Sequence, residues 1–150
     1  MTEKALYAED LGHYWKTSQA GWDGWIEKAK REIISAGGRE IKEAFGRDVG
    51  GSAFMIGFVI GADRFRIVWP VLPSRGKDQR AAQIQAATLL YHDVKARCLS
   101  AKVIGYRASF FSYIELPDGR TAMQASVSEL SAGIPLLFEM NKHPALVAQN

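Results

Sequence analysis

Basic and aromatic side chains that could contact nucleic acid are concentrated in the middle of this sequence. Lysine and arginine neutralise phosphates, and aromatic rings stack on bases. The residues that we predict for such a site are Arg64, Arg66, Trp69, Arg75, Lys77, Arg80 and Arg107, with Tyr106 as a further stacking side chain. Acidic residues are comparatively few between positions 64 and 120, which favours a basic surface there. A solvated basic sheet face with core aromatics is an equally good interpretation of the same residues.

Residues that could support catalysis or bind a metal are sparse. The three histidines, His13, His92 and His143, lie far apart in the sequence, and none has a second ligand at metal-binding spacing. No glycine loop followed by Lys and Ser or Thr is present to hold phosphates. We therefore predict no enzyme, no metal and no cofactor.

Three acidic residues leave one catalytic alternative open. Asp63, Glu115 and Asp118 could gather around Mg²⁺ as in nucleases, although Asp63 and Asp118 each lie in a turn that explains them without a metal. A nuclease is the less favoured hypothesis.

The strongest periodic signal is a long helix that follows the basic residues. Apolar residues recur at alternating spacings of three and four and predict its buried stripe: Ile84, Ala87, Tyr91, Val94, Cys98 and Ala101, widened by Leu90 and Leu99. Asp78 is the expected N-cap and Gly105 the expected end. Gln85, Thr88, His92, Lys95 and Lys102 fall on the opposite, solvated side. We interpret the helix as a buried domain helix rather than a dimerising coiled coil, and Cys98 as a buried thiol.

A β-hairpin is predicted ahead of that helix. Residues 54 to 60 are a β-rich apolar run, and residues 64 to 69 alternate between apolar and polar around a turn at positions 61 to 63. Phe65, Ile67 and Trp69 should face the core, which would leave Arg64 and Arg66 pointing outward. Pro70 and Pro73 are expected to end the pairing, because proline has no N–H to donate to a ladder.

The N-terminal part is predicted to be helical. Residues 1 to 20 form an arm, and an amphipathic helix runs from Trp22 until Gly37 and Gly38 stop it. A second short helix is expected over residues 39 to 45. Trp22 and Trp25 fit core positions best; the alternatives are rings that stack on bases or a face that receives a protein partner.

The C-terminal part carries one ambiguity. Residues 106 to 116 satisfy both a strand and a helix pattern, and residues 117 to 119 form a turn in either case. Thr121 followed by Gln124 has the form of a capping box, which predicts a short helix over about residues 122 to 130. Residues 141 to 150 are expected to be a tail.

Length and composition fit one ordinary domain. The chain has 150 residues, 47% of them hydrophobic and 23% charged, and a net charge of +3. We predict an α+β fold over residues 21 to 140, with N-terminal helices, an antiparallel hairpin or small sheet packed on one long helix, and short C-terminal helices. No apolar run reaches membrane-spanning length and no secretion signal is evident, so we expect a cytoplasmic protein.

One family resemblance accompanies these patterns. The strings from 65 to 73, from 95 to 99, from 113 to 121 and from 134 to 137 occur in an order that resembles an uncharacterised family of small phage and mobile-element proteins. The most specific part is Leu-Pro-Asp-Gly-Arg-Thr at positions 116 to 121, and the resemblance spans about two-thirds of the chain. It implies a mobile-element context and favours a helix over residues 106 to 113, and it carries no site residues with it.

Two functions follow as expectations. The first is a non-enzymatic nucleic-acid-binding accessory protein that binds single-stranded or duplex nucleic acid through its basic sheet face. The alternative is a protein-interaction or oligomerisation module without a nucleic-acid role, for which a homodimer is one form. Exposed apolar side chains, rather than exposed arginines, should then form the largest surface patch.

Overall fold

The computed structural model describes residues 6–11, 21–48 and 51–126. It has the predicted α+β fold. The helices are α1 (Trp22–Ser35), α2 (Gln79–Ile104) and the short α3 (Tyr106–Ser109), and the strands are β1 (Arg39–Asp48), β2 (Gly51–Ile60) and β3 (Asp63–Val71). Two 3-10 turns, Ala8–Asp10 and Phe111–Tyr113, complete these elements.

Helix α1 ends at the glycine pair that its sequence predicts. The Gly38 amide donates to the Ile33 carbonyl at 2.8 Å, and the Gly37 amide donates to the Ile34 carbonyl at 3.0 Å. Gly37 has φ +97°, a left-handed conformation that glycine adopts without steric penalty. These two hydrogen bonds form a Schellman motif, which satisfies carbonyls at the helix end and turns the chain into β1.

The prediction of a helix over residues 39 to 45 is wrong, because these residues begin β1. The apolar residues Ile41, Ala44 and Phe45 fit a helical stripe, but residues 39 to 48 form a backbone ladder with β2, in which Phe45 lies opposite the buried Phe54. Pairing with β2 therefore overrides the local pattern, and β1 runs antiparallel to it.

The sheet is antiparallel in the order β1-β2-β3. Phe58 of β2 lies opposite Phe65 of β3, their rings 5.2 Å apart between centroids, and Gly61 in the connecting turn has φ +61°. Pro70 does not end the pairing as predicted, since it lies within β3 opposite Ala53. An edge strand tolerates proline because its outer side needs no amide for the ladder.

The core lies between one face of the sheet and helices α1 and α2. Phe54, Ile56, Phe65 and Ile67 supply the sheet side, each at most 3% exposed. The predicted stripe of α2 packs against them, with Tyr91 at its margin. The arrangement matches the expectation of a small sheet covered by one long helix.

Helix α2 has 26 residues and is about 39 Å long. The Asp78 side chain caps it by accepting from the Ala81 amide at 3.1 Å, and Gly105 ends it with φ +89°. Two predicted positions on α2 are wrong. Gln85 is predicted on the solvated side but is buried, and Leu99 is predicted on the apolar side but is 66% exposed.

The buried Gln85 amide attaches the described part of the N-terminal arm to the domain. Its Nε2 donates to the Ala8 carbonyl at 2.9 Å, and the Ala8 amide donates to the Pro73 carbonyl at 2.8 Å. Ala8 itself is fully buried. Residues 6–11 are therefore packed on the domain through contacts that are distant in sequence and invisible to periodicity.

The ambiguous segment after α2 is helical at its start. α3 and the 3-10 turn cover most of residues 106–113, and β-bridges at Ile114 and Glu115 follow. Tyr113 donates to Asp93 at 3.2 Å, and burial raises the pKa of the Tyr113 phenol to about 12. These contacts hold the segment against α2.

The predicted capping box is confirmed. The Thr121 amide donates to Gln124 Oε1 at 2.9 Å, and the Gln124 amide donates to Thr121 Oγ1 at 3.2 Å. Residues 122–126 are helical. The predicted continuation to residue 130 and the tail over residues 141 to 150 lie outside the described residues.

Candidate functional site

The two arginines predicted to lead the basic sheet face both have carboxylate partners. Arg64 lies 3.4 Å from Glu40, and Arg66 lies 3.7 Å from Glu115. Arg66 also donates to the Gly119 carbonyl at 2.7 Å. These contacts turn Arg66 toward the segment that follows the 3-10 turn and compensate part of the positive charge of this face.

Arg75 is bound to the N-terminal 3-10 turn. Its two terminal nitrogens donate to the Asp10 carboxylate at 2.7 and 3.1 Å, and its guanidinium lies 4.4 Å from the centre of the Tyr7 ring. The hydrogen bond to Asp10 raises the pKa of Arg75. A bidentate arginine–carboxylate pair of this kind orients the guanidinium and leaves less of it for a phosphate.

Arg107 is paired in the same way at the other end of β3. Its Nε and a terminal nitrogen donate to Asp63 at 3.0 and 2.9 Å, and these hydrogen bonds raise the pKa of Arg107. Trp69 is half-buried and packs against the core. Lys77 and Arg80 are exposed and form no ion pair within the described parts of the chain.

Four of the six cationic residues predicted to bind nucleic acid thus have an acidic partner. The same contacts occupy the acidic residues considered for a nuclease, since Asp63 pairs with Arg107, Glu115 with Arg66 and Asp118 with Arg120. Among the described residues, no group of three or more His, Cys, Asp or Glu side chains could hold a metal ion.

Cys98 has the environment predicted for it. The thiol is buried on α2, and burial raises its pKa to about 11. Since the thiolate is the nucleophilic form, very little of this cysteine is reactive near neutral pH.

None of the helices in the described residues is long and apolar enough to cross a membrane.

The sequence patterns did not identify the feature with the clearest docking geometry, which is the free edge of β1. Lys42 to Arg47 are all exposed, and no described segment pairs with the side of β1 that faces away from β2. The opposite edge strand, β3, is partly covered, because Phe65 forms a bridge with Ile114. A row of unpaired backbone groups is a template for another extended chain.

Most of this edge is regular. The pairing between β1 and β2 shifts only between Arg39 and Lys42, close to Glu40 at φ +53°. From Lys42 to Asp48 every residue has a partner on β2 without interruption. A bulge twists an edge away from neighbours, and here it protects only the beginning of the strand.

An aromatic groove of about 270 Å³ runs beside the same edge. Trp22 and Phe45 stack with their ring centroids 6.3 Å apart, and Phe54 lies 5.1 Å from Phe45. Phe45 is 41% exposed, and the carboxylates Asp23, Glu27 and Glu43 line the groove with these rings. We call Lys42 to Asp48 together with this groove the β1 edge.

Of the β1 edge, the sequence indicates only Trp22, as a candidate for a partner-binding face. Phe45 falls within the short helix predicted over residues 39 to 45, so the sequence does not indicate that it lies on an exposed strand. Comparisons of this chain with protein-family models, with curated proteins and with solved structures find no match.

Proposed function

We propose that this chain is a protein-interaction module that accepts an extended polypeptide segment at the β1 edge. The observation that carries the proposal is the run of exposed, regularly paired residues from Lys42 to Arg47 beside an aromatic groove. An added strand would satisfy the unpaired backbone groups, and each hydrogen bond contributes about 0.5–1.5 kcal/mol net.

The groove would supply selectivity for side chains. Alternate side chains of an added strand point to the helix-covered face of the sheet, where Trp22 and Phe45 offer apolar surface. Asp23, Glu27 and Glu43 border that surface, which favours apolar or basic residues at those positions. The preferred segment is therefore extended, with an aromatic or aliphatic anchor flanked by lysine or arginine.

A displayed peptide library tests this directly. We expect random peptides selected on sparsely immobilised protein to match that pattern and to slow amide hydrogen exchange in β1. The variant Phe45→Lys should weaken their binding at least about tenfold, because it removes the exposed aromatic ring of the groove and adds a positive charge that repels the basic residues of the peptide. Val68→Lys is the matched control, since Val68 is comparably exposed on the opposite edge strand.

Two outcomes of the peptide selection would contradict the proposed docking edge. Peptides that bind equally to wild type and Phe45→Lys, or that leave exchange in β1 unchanged, would place any interaction elsewhere on the molecule. The proposed docking edge would then be wrong even if the protein binds peptides.

We expect the basic sheet face to bind nucleic acid only weakly. Labelled single-stranded and duplex oligonucleotides at about 50 mM salt should bind with a Kd weaker than about 100 µM, because Arg64, Arg66, Arg75 and Arg107 already contact carboxylates. Fluorescence anisotropy of the labelled oligonucleotides measures this Kd. Micromolar binding that disappears at about 200 mM salt would restore the basic sheet face as the functional surface.

The resemblance to phage and mobile-element proteins stays a proposal about context. Its most specific part is residues 116 to 121, whose turn contains Gly119 at φ +89°. A small interaction module is compatible with that context, and the docking edge does not depend on it.

A further inference from the structure

The sequence of β1 is complementary to itself when two copies are read antiparallel about Phe45. In that register Phe45 faces Phe45, Glu43 faces Arg47, Lys42 faces Asp48 and Ala44 faces Gly46. Every charged residue from position 42 to position 48 then lies opposite a residue of the other sign. Opposite charges directly across an antiparallel pair stabilise it.

Neighbouring registers lack this property. Centring the pair on Glu43 places two glutamates opposite each other and Arg39 opposite Arg47. Centring it on Ala44 places Glu40 opposite Asp48. Like charges directly opposite destabilise a strand pair, so the register around Phe45 is favoured over both.

The faces of the sheet agree with the register around Phe45. A two-fold axis perpendicular to the sheet keeps the helix-covered face on the same side in both copies. Phe45 lies on that face, since it is opposite the buried Phe54 of β2. The two Phe45 rings would meet there, each beside a Trp22 ring, and would extend the aromatic groove of one copy into that of the other.

Two cations on the edge have no ion-pair partner among residues 6–11, 21–48 and 51–126. Neither Lys42 nor Arg47 forms an ion pair with any residue that the structure describes. Glu43 accepts from Lys30 at 3.0 Å and has further acceptor capacity for Arg47 of a second copy. Exposed charges that have no ion-pair partner in the described part of the chain, and that lie at matching positions of the strand, fit an intermolecular pairing.

We infer that the segment accepted at the β1 edge is β1 of a second copy of this chain, paired antiparallel about Phe45. The two sheets join into one six-stranded sheet with the order β3-β2-β1-β1-β2-β3. This inference rests on the proposed function, because it names the occupant of the same edge.

Charge exchange across the two-fold axis tests the inference. Sedimentation velocity over about 1–200 µM should show a monomer–dimer equilibrium for the wild type. Lys42→Glu and Asp48→Lys should each weaken the dimer about tenfold or more, because each variant replaces two attractive pairs by two repulsive ones. An equimolar mixture of the two variants should dimerise like the wild type, since both pairs regain opposite signs.

The control substitution is Lys102→Glu, an exposed lysine on α2 away from the edge, which should leave dimerisation unchanged. Circular dichroism of each variant verifies folding, and restoration in the mixture cannot arise from misfolded chains. Dimerisation that neither edge variant weakens, or a mixture that stays monomeric, would overturn this register.

Failure of this inference can be distinguished from failure of the proposed function. A wild type that stays monomeric throughout, while selected peptides still protect β1 from exchange, removes the second copy as occupant and keeps the docking edge. A monomer that also binds no peptide at β1 removes both.

Discussion

Replacing Phe65 with alanine should destabilise the domain by about 3–5 kcal/mol, the largest effect that we expect from any single substitution. Phe65 is 1% exposed, its ring stacks on Phe58 at 5.2 Å, and it meets Phe110 edge-on at 5.9 Å. The three rings join β2, β3 and the segment after α2. A cavity at their centre would weaken all of these contacts together.

Urea denaturation followed by circular dichroism measures this loss, and a fall in Tm of about 10 °C should accompany it. Phe111→Ala is the matched control, because the same side chain is 56% exposed at position 111 and its removal should cost less than about 1 kcal/mol. Equal losses for the two variants would mean that the Phe58–Phe65–Phe110 cluster is not the centre of the core.

The second large effect is expected at the junction between α1 and β1. Gly38→Ala should cost about 1–3 kcal/mol, because a Cβ there would lie 2.4 Å from Ile33 Cγ2 and 2.8 Å from the Ile33 carbonyl oxygen. Ile33 is fully buried, so neither atom can move away without disturbing the core. Thermal denaturation gives the change in Tm.

Two other glycines provide the comparison. Gly37→Ala meets no atom within 4 Å but must keep φ +97°, which costs about 1–2 kcal/mol. Gly24→Ala, inside α1 with nothing within 4 Å, should stabilise the protein by about 1 kcal/mol. If Gly38→Ala were as harmless as Gly24→Ala, the Schellman motif at the end of α1 would not be formed as described.

The elements that the sequence predicted correctly are those encoded by neighbouring residues. The three-and-four spacing from Ile84 to Ala101 located α2, the glycines at 37 and 38 ended α1, and Thr121 with Gln124 marked a capping box. Each signal depends on residues within a turn or two of one another, so one sequence was enough to read it.

The errors share a different cause. Residues 39 to 45 carry a helical apolar pattern and nevertheless form β1, because β2 supplies a ladder that no local pattern announces. Gln85 was assigned to the solvent by its position on the helix, yet it is buried by its hydrogen bond to Ala8, 77 residues away. In both cases another segment changed the environment that periodicity assumes: the next strand along the chain for residues 39 to 45, and the N-terminal 3-10 turn for Gln85.

The prediction of the candidate site depended most on contacts between segments that are far apart in the sequence. The sequence by itself determined the α+β class, the long buried helix, the hairpin and the number of arginines near it. Only the tertiary structure decided that Arg75 pairs with Asp10 across 65 positions and Arg107 with Asp63 across 44, and that β1 forms an exposed edge. Most of the helices and strands follow from local periodicity, whereas the partner of a charge or of a strand depends on which other segments the fold brings beside it.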